Sequence, residues 1–297
     1  MDRVMKRWRN LFYAMRPQQW IKNGFLFLPV IFGKSLLAAS VFFNTAWGFV
    51  LFCMASSTVY LMNDILDIKK DRAHPAKRLR PLASGKIKIG EARTLLLVTV
   101  IIALLGAAML DQRFFAIVLC YLVFNAAYSL LFKNWVILDV FCIAGFFLMR
   151  IYAGSVLSGV SLSPWIVMMT ALLALFLGFS KRRQELKWLK VKAGKHRSVL
   201  ARYDIYFIDQ MISIITASVV IAYSLYTVDP RTVAIFKTHH LLYTVPFVYY
   251  GIFRYLYLIH VHNNEGDPTR VVLTDSPTRI NLFLWLTMCV LIIYFGL

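Results

Sequence analysis

Residues 35–81 read SLLAASVFFNTAWGFVLFCMASSTVYLMNDILDIKKDRAHPAKRLRP. Residues 35–63 contain no Asp, Glu, Lys or Arg. Such a run exceeds the roughly 20 apolar residues that a helix needs to cross a bilayer core. It passes without a linker into Asp64, Asp67 and Asp71, interleaved with Lys69, Lys70 and Arg72. Lys77, Arg78 and Arg80 then stand between Pro75 and Pro81. This is the pattern of a membrane helix with its chemistry gathered at one mouth.

The remainder of the chain fits that pattern. Of its 297 residues, 60% are hydrophobic and only 16% charged. A soluble domain carries about 25% charged and 45–50% apolar residues. There is too little polar surface for a soluble globule, and disorder, coiled coil and a disulfide-stapled secreted fold are excluded on the same grounds. Further charge-free stretches lie at 94–110, 114–132, 151–180, 210–228 and 280–297. Three less tidy spans are expected at 23–38, 137–157 and 239–259, which carry Lys34, Arg150 and Arg254 respectively. Gly159 and Pro164 divide the run 151–180, so that it closes one span and opens the next. The expectation is an all-α polytopic membrane protein of nine transmembrane helices, a single transmembrane domain over residues 1–297. The four cysteines, Cys53, Cys120, Cys142 and Cys289, all sit in apolar runs without metal-ligand spacing and read as small hydrophobes.

Net charge is +19. In a membrane protein, basic excess reports topology and anionic lipid first. Nucleic-acid binding has no separate domain to support it. With nine spans, alternate connections hold 28 basic residues on one side and four on the other, Lys34, Arg113, Arg231 and Lys237. Arg150 lies within a helix. The positive-inside rule then places the N-terminus and the loops 63–93 and 180–204 in the cytoplasm and the C-terminus outside an inner (plasma) membrane. Residues 1–22 form a basic amphipathic segment expected on the inner leaflet, with Trp8, Phe12 and Trp20 at the interface. No removable signal peptide is read there.

Asp64, Asp67 and Asp71 are spaced i, i+3, i+7, one face of a helix, with Asn63 one turn from Asp67. Three carboxylates on one face repel unless a cation sits between them. Oxygen ligands favour a hard ion, and Mg²⁺ is usually held by one or two carboxylates plus substrate phosphates. The bland alternative is a solvated helix end whose aspartates pair with nearby lysines. The adjoining run favours the metal: His74-Pro75-Ala76-Lys77-Arg78-Leu79-Arg80-Pro81 sets three cations in a loop stiffened by prolines. A carboxylate face beside a cationic loop suits a Mg²⁺–diphosphate group. His74 itself reads as a capping or spacing residue.

The run NDILDIKKDRAHPAKRLRPLASGKI resembles the first aspartate-rich motif of the UbiA family of intramembrane prenyltransferases, N-D-x-x-D-x-x-x-D with an H-P-x-K-x-R-P tail. The resemblance implies a helical bundle around a central cavity open to the cytoplasm and, at the side, to lipid. It also implies catalytic roles for Asn63, Asp64, Asp67 and Asp71, with Lys77, Arg78 and Arg80 on the substrate. Most members carry a second motif, roughly D-x-x-x-D, between helices 6 and 7. Here that place reads Gly178-Phe179-Ser180-Lys181-Arg182-Arg183-Gln184-Glu185-Leu186. Its K-R-x-x-E-L pattern is similar to the decaprenyl-phosphate phosphoribosyltransferase branch, as is the R-S-x-L-x-x-Y stretch at Arg197–Tyr203. That branch implies phosphoribosyl pyrophosphate as donor and a polyprenyl phosphate as acceptor. Lys181, Arg182 and Glu185 would meet the additional phosphates and the ribose. In either branch Mg²⁺ stabilises departing pyrophosphate and leaves an electron-poor carbon.

Weaker candidates are Asn125, Tyr128 and Lys133 at the end of helix 4, where membrane anchoring is an equal reading. Asp139 and Arg150 are three turns apart on one face, and a charge facing the interior is favoured over one facing lipid. Whether Arg150 binds substrate or pairs structurally stays open. His239, His240, His260 and His262 read as interfacial. Two other functions compete. An ordinary prenyltransferase would carry an isoprenoid to an aromatic acceptor and would want paired aspartates at 178–186. A cation transporter would not surround its site with Lys77, Arg78, Arg80, Lys181 and Arg182.

Overall fold

The structure is a computed structural model that describes residues 2–73, 75, 77–191, 202–261 and 274–296. His74, His262 and residues 192–201, which hold most of the Arg197–Tyr203 stretch, lie outside the described residues. Among the described residues every regular element is helical. The α-helices are α1 (Asp2–Ala14), α2 (Leu28–Phe32), α3 (Ala39–Leu66), α4 (Ile68–Ala73), α5 (Ile89–Leu110) and α6 (Gln112–Leu130). They continue as α7 (Leu138–Ser158), α8 (Pro164–Val191), α9 (Ile205–Val228), α10 (Pro230–Phe236), α11 (Val245–His260) and α12 (Ser276–Phe295).

Seven of these, α3, α5, α6, α7, α8, α9 and α12, are long and apolar enough to cross a membrane. Seven of the nine expected spans thus fall on such helices among the described residues, and the other two do not. The span at 23–38 falls on a 3₁₀ segment, Pro17–Phe27, followed by the five-residue α2. Pro29 and Gly33 interrupt it, and Lys34 comes next in the left-handed region at φ 56°. The span at 239–259 falls on 3₁₀ residues His240–Thr244 and then α11, which Pro246 starts. Its 16 residues reach only about 24 Å at 1.5 Å per residue.

Much of the scarce acidic charge starts helices. Asp111 links α5 to α6 in extended backbone and accepts from Phe114 N at 2.8 Å. Asp204, Asp229 and Asp275 cap α9, α10 and α12 in the same way, each leaving fewer orphaned N–H groups. Arg254 also bonds the Asp275 carboxylate and holds its pKa at about 2.

The chain forms two compact units. The first comprises residues 1–131 and 149–161. Its packing uses small residues: α5 buries Ala92, Thr99, Ala103 and Ala107, and exposes Leu97, Val98, Ile101, Ile102, Leu105 and Met109. Large apolar groups outside and small ones inside is the pattern of helices packed in lipid, where close backbone approach replaces the hydrophobic drive. Gly154 of α7 is needed for the same reason, since a Cβ there would lie 2.0 Å from the Leu26 carbonyl oxygen. The second unit comprises residues 132–148 and 162–297. Its core is a stripe on α9, Ile208, Ile212, Ile215 and Val219, packed with Phe176, Phe179, Ile252, Tyr255 and Ile259.

Candidate active site

In the first unit α3 ends at Leu66, and Asp67 leaves the helical region at φ −99°, ψ 13° before α4 resumes. The break sorts the three aspartates. Asp64 and Asp71 are buried, at 4% and 3% exposure, whereas Asp67 turns to the edge and meets Lys70 at 3.7 Å. The one-face expectation thus holds for two of the three. The next loop is pinned by Leu82 and Ile87, which bury against Leu61, Ala92 and Ala14. Turn bonds Arg80 N to Lys77 O (3.0 Å) and Ser84 N to Arg80 O (2.9 Å) fix the backbone around Arg80. Its Nη1 donates to both Asp64 Oδ1 at 3.1 Å and Asp71 Oδ2 at 2.5 Å. Arg16, from the N-terminal segment, also donates to Asp64 Oδ1. The cation that the clustered carboxylates demand is supplied by two guanidinium groups.

That arrangement also tests the fit of a divalent ion. Among the described residues no three His, Cys, Asp or Glu side chains form a ready-made cage. Two buried carboxylates do converge on one cationic nitrogen, with oxygen-only donors. This suits Mg²⁺, which takes one or two carboxylates and completes its shell with substrate phosphates and water. Asn63 is half-buried beside this pair, and its carbonyl accepts from Asp67 N at 2.9 Å. Lys77 is half-buried and Arg78 exposed on the 3₁₀ turn Lys77–Leu79.

Arg150 lies in the same unit and is 4% exposed. Its Nε donates to Asn23 Oδ1 at 2.8 Å and its Nη2 to the Tyr121 hydroxyl at 3.0 Å. The guanidinium also stacks over the Phe52 and Tyr121 rings at 5.3 and 5.0 Å. Asn23, in turn, donates to Ser56 Oγ at 3.2 Å. The charge faces the helical interior, as expected at membrane depth. Asn125 is buried and donates to Tyr121 O at 2.7 Å, while Tyr128 is half-buried on α6.

The second unit holds the basic run of α8. Arg182 is 1% exposed, donating from Nε to Asp139 Oδ2 at 2.6 Å and from Nη1 to Glu185. The Tyr203 hydroxyl donates to Asp139 Oδ1 at 2.8 Å and accepts from Ile137 N at 2.6 Å. Burial and the Asp139 bond push the Tyr203 phenol above its ordinary pKa. Ile137 sits at φ 69°, a costly conformation for a β-branched residue. Arg183 is bidentate to Asp209, at 2.5 and 3.2 Å, and also donates to Ile259 O at 3.0 Å. Hence Arg182, expected to face substrate, is enclosed by protein partners, whereas Lys181 and Glu185 are half-buried at the edge. Lys133 is half-buried on the 3₁₀ turn Phe132–Asn134.

Sequence reasoning passed over Arg16, Asn23, Tyr121 and Asp209. The available signal was the scarcity of acids: each Arg in an apolar setting requires a polar partner from elsewhere in the chain.

The UbiA prenyltransferase family pattern matches residues 26–287. The chain belongs to this family. The decaprenyl-phosphate phosphoribosyltransferase of Mycolicibacterium smegmatis is 28% identical over 302 residues, covering 97% of this chain and 93% of that protein. The enzyme of the same name from Corynebacterium glutamicum is 28% identical over 286 residues, covering 95% and 86%. A UbiA homolog from Archaeoglobus fulgidus, solved with GPP and Mg²⁺, superposes with a TM-score of 0.71 at 20% identity. That superposition covers 96% of this chain and 99% of the other, so the all-helical UbiA fold extends over nearly the whole sequence.

Proposed function

We propose that this UbiA-family enzyme transfers the 5-phosphoribosyl group from phosphoribosyl pyrophosphate to a polyprenyl phosphate and releases pyrophosphate. The observation that carries the reading is the replacement of a second aspartate pair by Lys181-Arg182-Arg183-Gln184-Glu185, with Arg182 buried against Asp139 and Glu185. A single carboxylate held at its base by an arginine suits ribose hydroxyls better than a second metal. The relatives named for this activity over nearly their full lengths support it.

In this reading Asp64 and Asp71, with Asp67 and Asn63 beside them, would hold Mg²⁺, which when bound stabilises charge on departing pyrophosphate. Lys77, Arg78 and Arg80 take diphosphate oxygens, charge-assisted bonds that favour the leaving group as it departs. Lys181 takes the 5-phosphate, Arg182 positions Glu185, and Glu185 bonds the ribose. Tyr128, Lys133 and Arg150 serve the acceptor. The acceptor phosphate is already anionic, so positioning and charge stabilisation replace a strong general base. In this reading the segment 63–93 and the end of α8 from residue 180, helical to Val191 rather than a loop, face the cytoplasm, where a soluble phosphorylated donor is available.

The test incubates purified protein with Mg²⁺, labelled phosphoribosyl pyrophosphate and a short polyprenyl phosphate. A lipid carrying labelled ribose 5-phosphate is expected, with pyrophosphate released. EDTA and Asp64→Ala should each remove nearly all turnover, and Mg²⁺ should restore only the chelated sample. If the protein ignores this donor and consumes geranyl or farnesyl diphosphate with an aromatic acceptor, the ordinary prenyltransferase reading replaces this one.

A further inference from the structure

Arg16 occupies an unusual place. It adopts the left-handed region, φ 56° and ψ 59°, immediately before Pro17. That region is costly for an L-residue, and a proline in the next position restricts the backbone further. The conformation is held from both sides by one α3 hydroxyl. Ser57 Oγ accepts from Trp20 Nε1 at 3.0 Å and shares its one proton between Met15 O at 3.0 Å and the nearer Cys53 O at 2.7 Å. Between these two pins the Arg16 side chain stacks over Tyr60, 4.9 Å from the ring centroid, and its Nη2 reaches the buried Asp64 carboxylate. Farther out, Arg7 pairs with Glu91 at 2.5 Å and ties α1 to α5. Strain maintained by surrounding contacts is a mark of functional positions.

The chemistry of the pair explains what the strain secures. Asp64 is 4% exposed and receives two guanidinium groups, of which Arg80 is shared with Asp71. A cation that neutralises a metal-binding carboxylate competes with the metal. The same cation, once displaced, is a phosphate ligand beside the ion, because a guanidinium pairs with carboxylate and phosphate through the same fork of donors.

We propose that Arg16 is a donor-binding residue that exchanges partners. It guards Asp64 until the ion and a diphosphate arrive, then passes to the diphosphate oxygens. The N-terminal segment is thereby part of the active site. The proposal rests on Asp64 being a metal ligand, but not on the identity of the donor.

Partner exchange predicts effects of opposite sign, which a merely structural salt bridge does not. Mn²⁺ binding to the whole detergent-purified chain is monitored by EPR with no donor present. KM is measured separately with whichever diphosphate donor the protein consumes. Arg16→Gln should bind Mn²⁺ about tenfold more tightly, and its donor KM should rise about tenfold or more, the worth of one charge-assisted bond. Arg16→Lys keeps the charge but loses the fork of donors, and should fall between Arg16→Gln and the unaltered protein in both readings. Ser57→Ala releases the two pins without touching either ionic partner. It should shift both readings in the direction of Arg16→Gln, and it serves if that variant fails to fold.

Unchanged or weaker Mn²⁺ binding in both Arg16→Gln and Ser57→Ala overturns the guarding role. Tighter Mn²⁺ binding with an unchanged donor KM overturns the transfer to phosphate. Mn²⁺ binding by no form of the protein, the unaltered one included, overturns the metal reading of Asp64 and this inference with it. A failure with phosphoribosyl pyrophosphate alone touches only the choice of donor.

Discussion

A guanidinium enclosed at membrane depth must have polar or charged partners enclosed with it. Arg182 and Asp139, at 1% and 0% exposure, illustrate the cost: removing one partner leaves an uncompensated buried charge. Asp139→Ala is therefore expected to lose about 3–5 kcal/mol of stability, read as a large fall in the thermal midpoint of the detergent-solubilised protein. Lys181→Ala, on the same helix as Arg182 but at its edge, should leave that midpoint in place. It should instead raise the donor KM by about tenfold or more, the worth of one charge-assisted bond. An Asp139→Ala protein as stable as its parent would dissolve the network. Adjacent in sequence, Lys181 and Arg182 read as one cationic pair facing substrate, but successive helical residues point about 100° apart. One side chain goes in and the other stays at the edge. Which of the two goes in is decided by Asp139 and Tyr203, which nothing in the local pattern of α8 announces. The Asp64–Asp71 pair was legible because its partners lie within one turn-and-loop unit. Arg16 was not, since its link to Asp64 crosses 48 residues.

At the scale of elements, hydrophobic length decides most and packing chemistry the rest. The charge-free runs at 35–63, 94–110, 114–132 and 210–228 became α3, α5, α6 and α9, because a long apolar run can satisfy its backbone in lipid only as a helix. The two spans expected over Pro29 and Pro246 became 3₁₀ turns joined to short helices, because proline removes a donor and fixes φ. Charge counting does not see that interruption. Nor does it see which face of an apolar helix is inside. On α5 the inner face is the small one, so its contact with α3 should be intolerant of volume rather than of polarity. Ala103→Leu, at a fully buried position, is expected to cost about 1–3 kcal/mol through overpacking. Leu105→Ala, on the outward face of the same helix, should change stability by no more than about 0.5 kcal/mol. Thermal unfolding of the two variants checks this. Equal losses would mean that the small-residue stripe is not the packing surface.

At the scale of the whole molecule, the basic residues carry two kinds of information. Buried ones such as Arg182 and Arg183 are structural necessities with enclosed partners. The exposed ones report sidedness, because Lys and Arg in short loops resist translocation. If the chain crosses nine times, the Asp64 motif and the α8 basic run both lie on the richly basic side and residue 231 on the sparsely basic side. A donor made in the cytoplasm requires the first two to face inward, so topology and chemistry stand together. The experiment introduces single cysteines by Ser84→Cys, Lys190→Cys and Arg231→Cys into a Cys120→Ser background, since the other three native cysteines are buried. In intact cells an impermeant thiol reagent should label residue 231 and leave residues 84 and 190 untouched until the cells are opened. Labelling of residue 190 from outside would reverse the orientation. It would also remove the cytoplasmic donor from reach of Lys181 and Glu185, so the phosphoribosyl reading would fail with it, whatever the purified enzyme accepts in detergent.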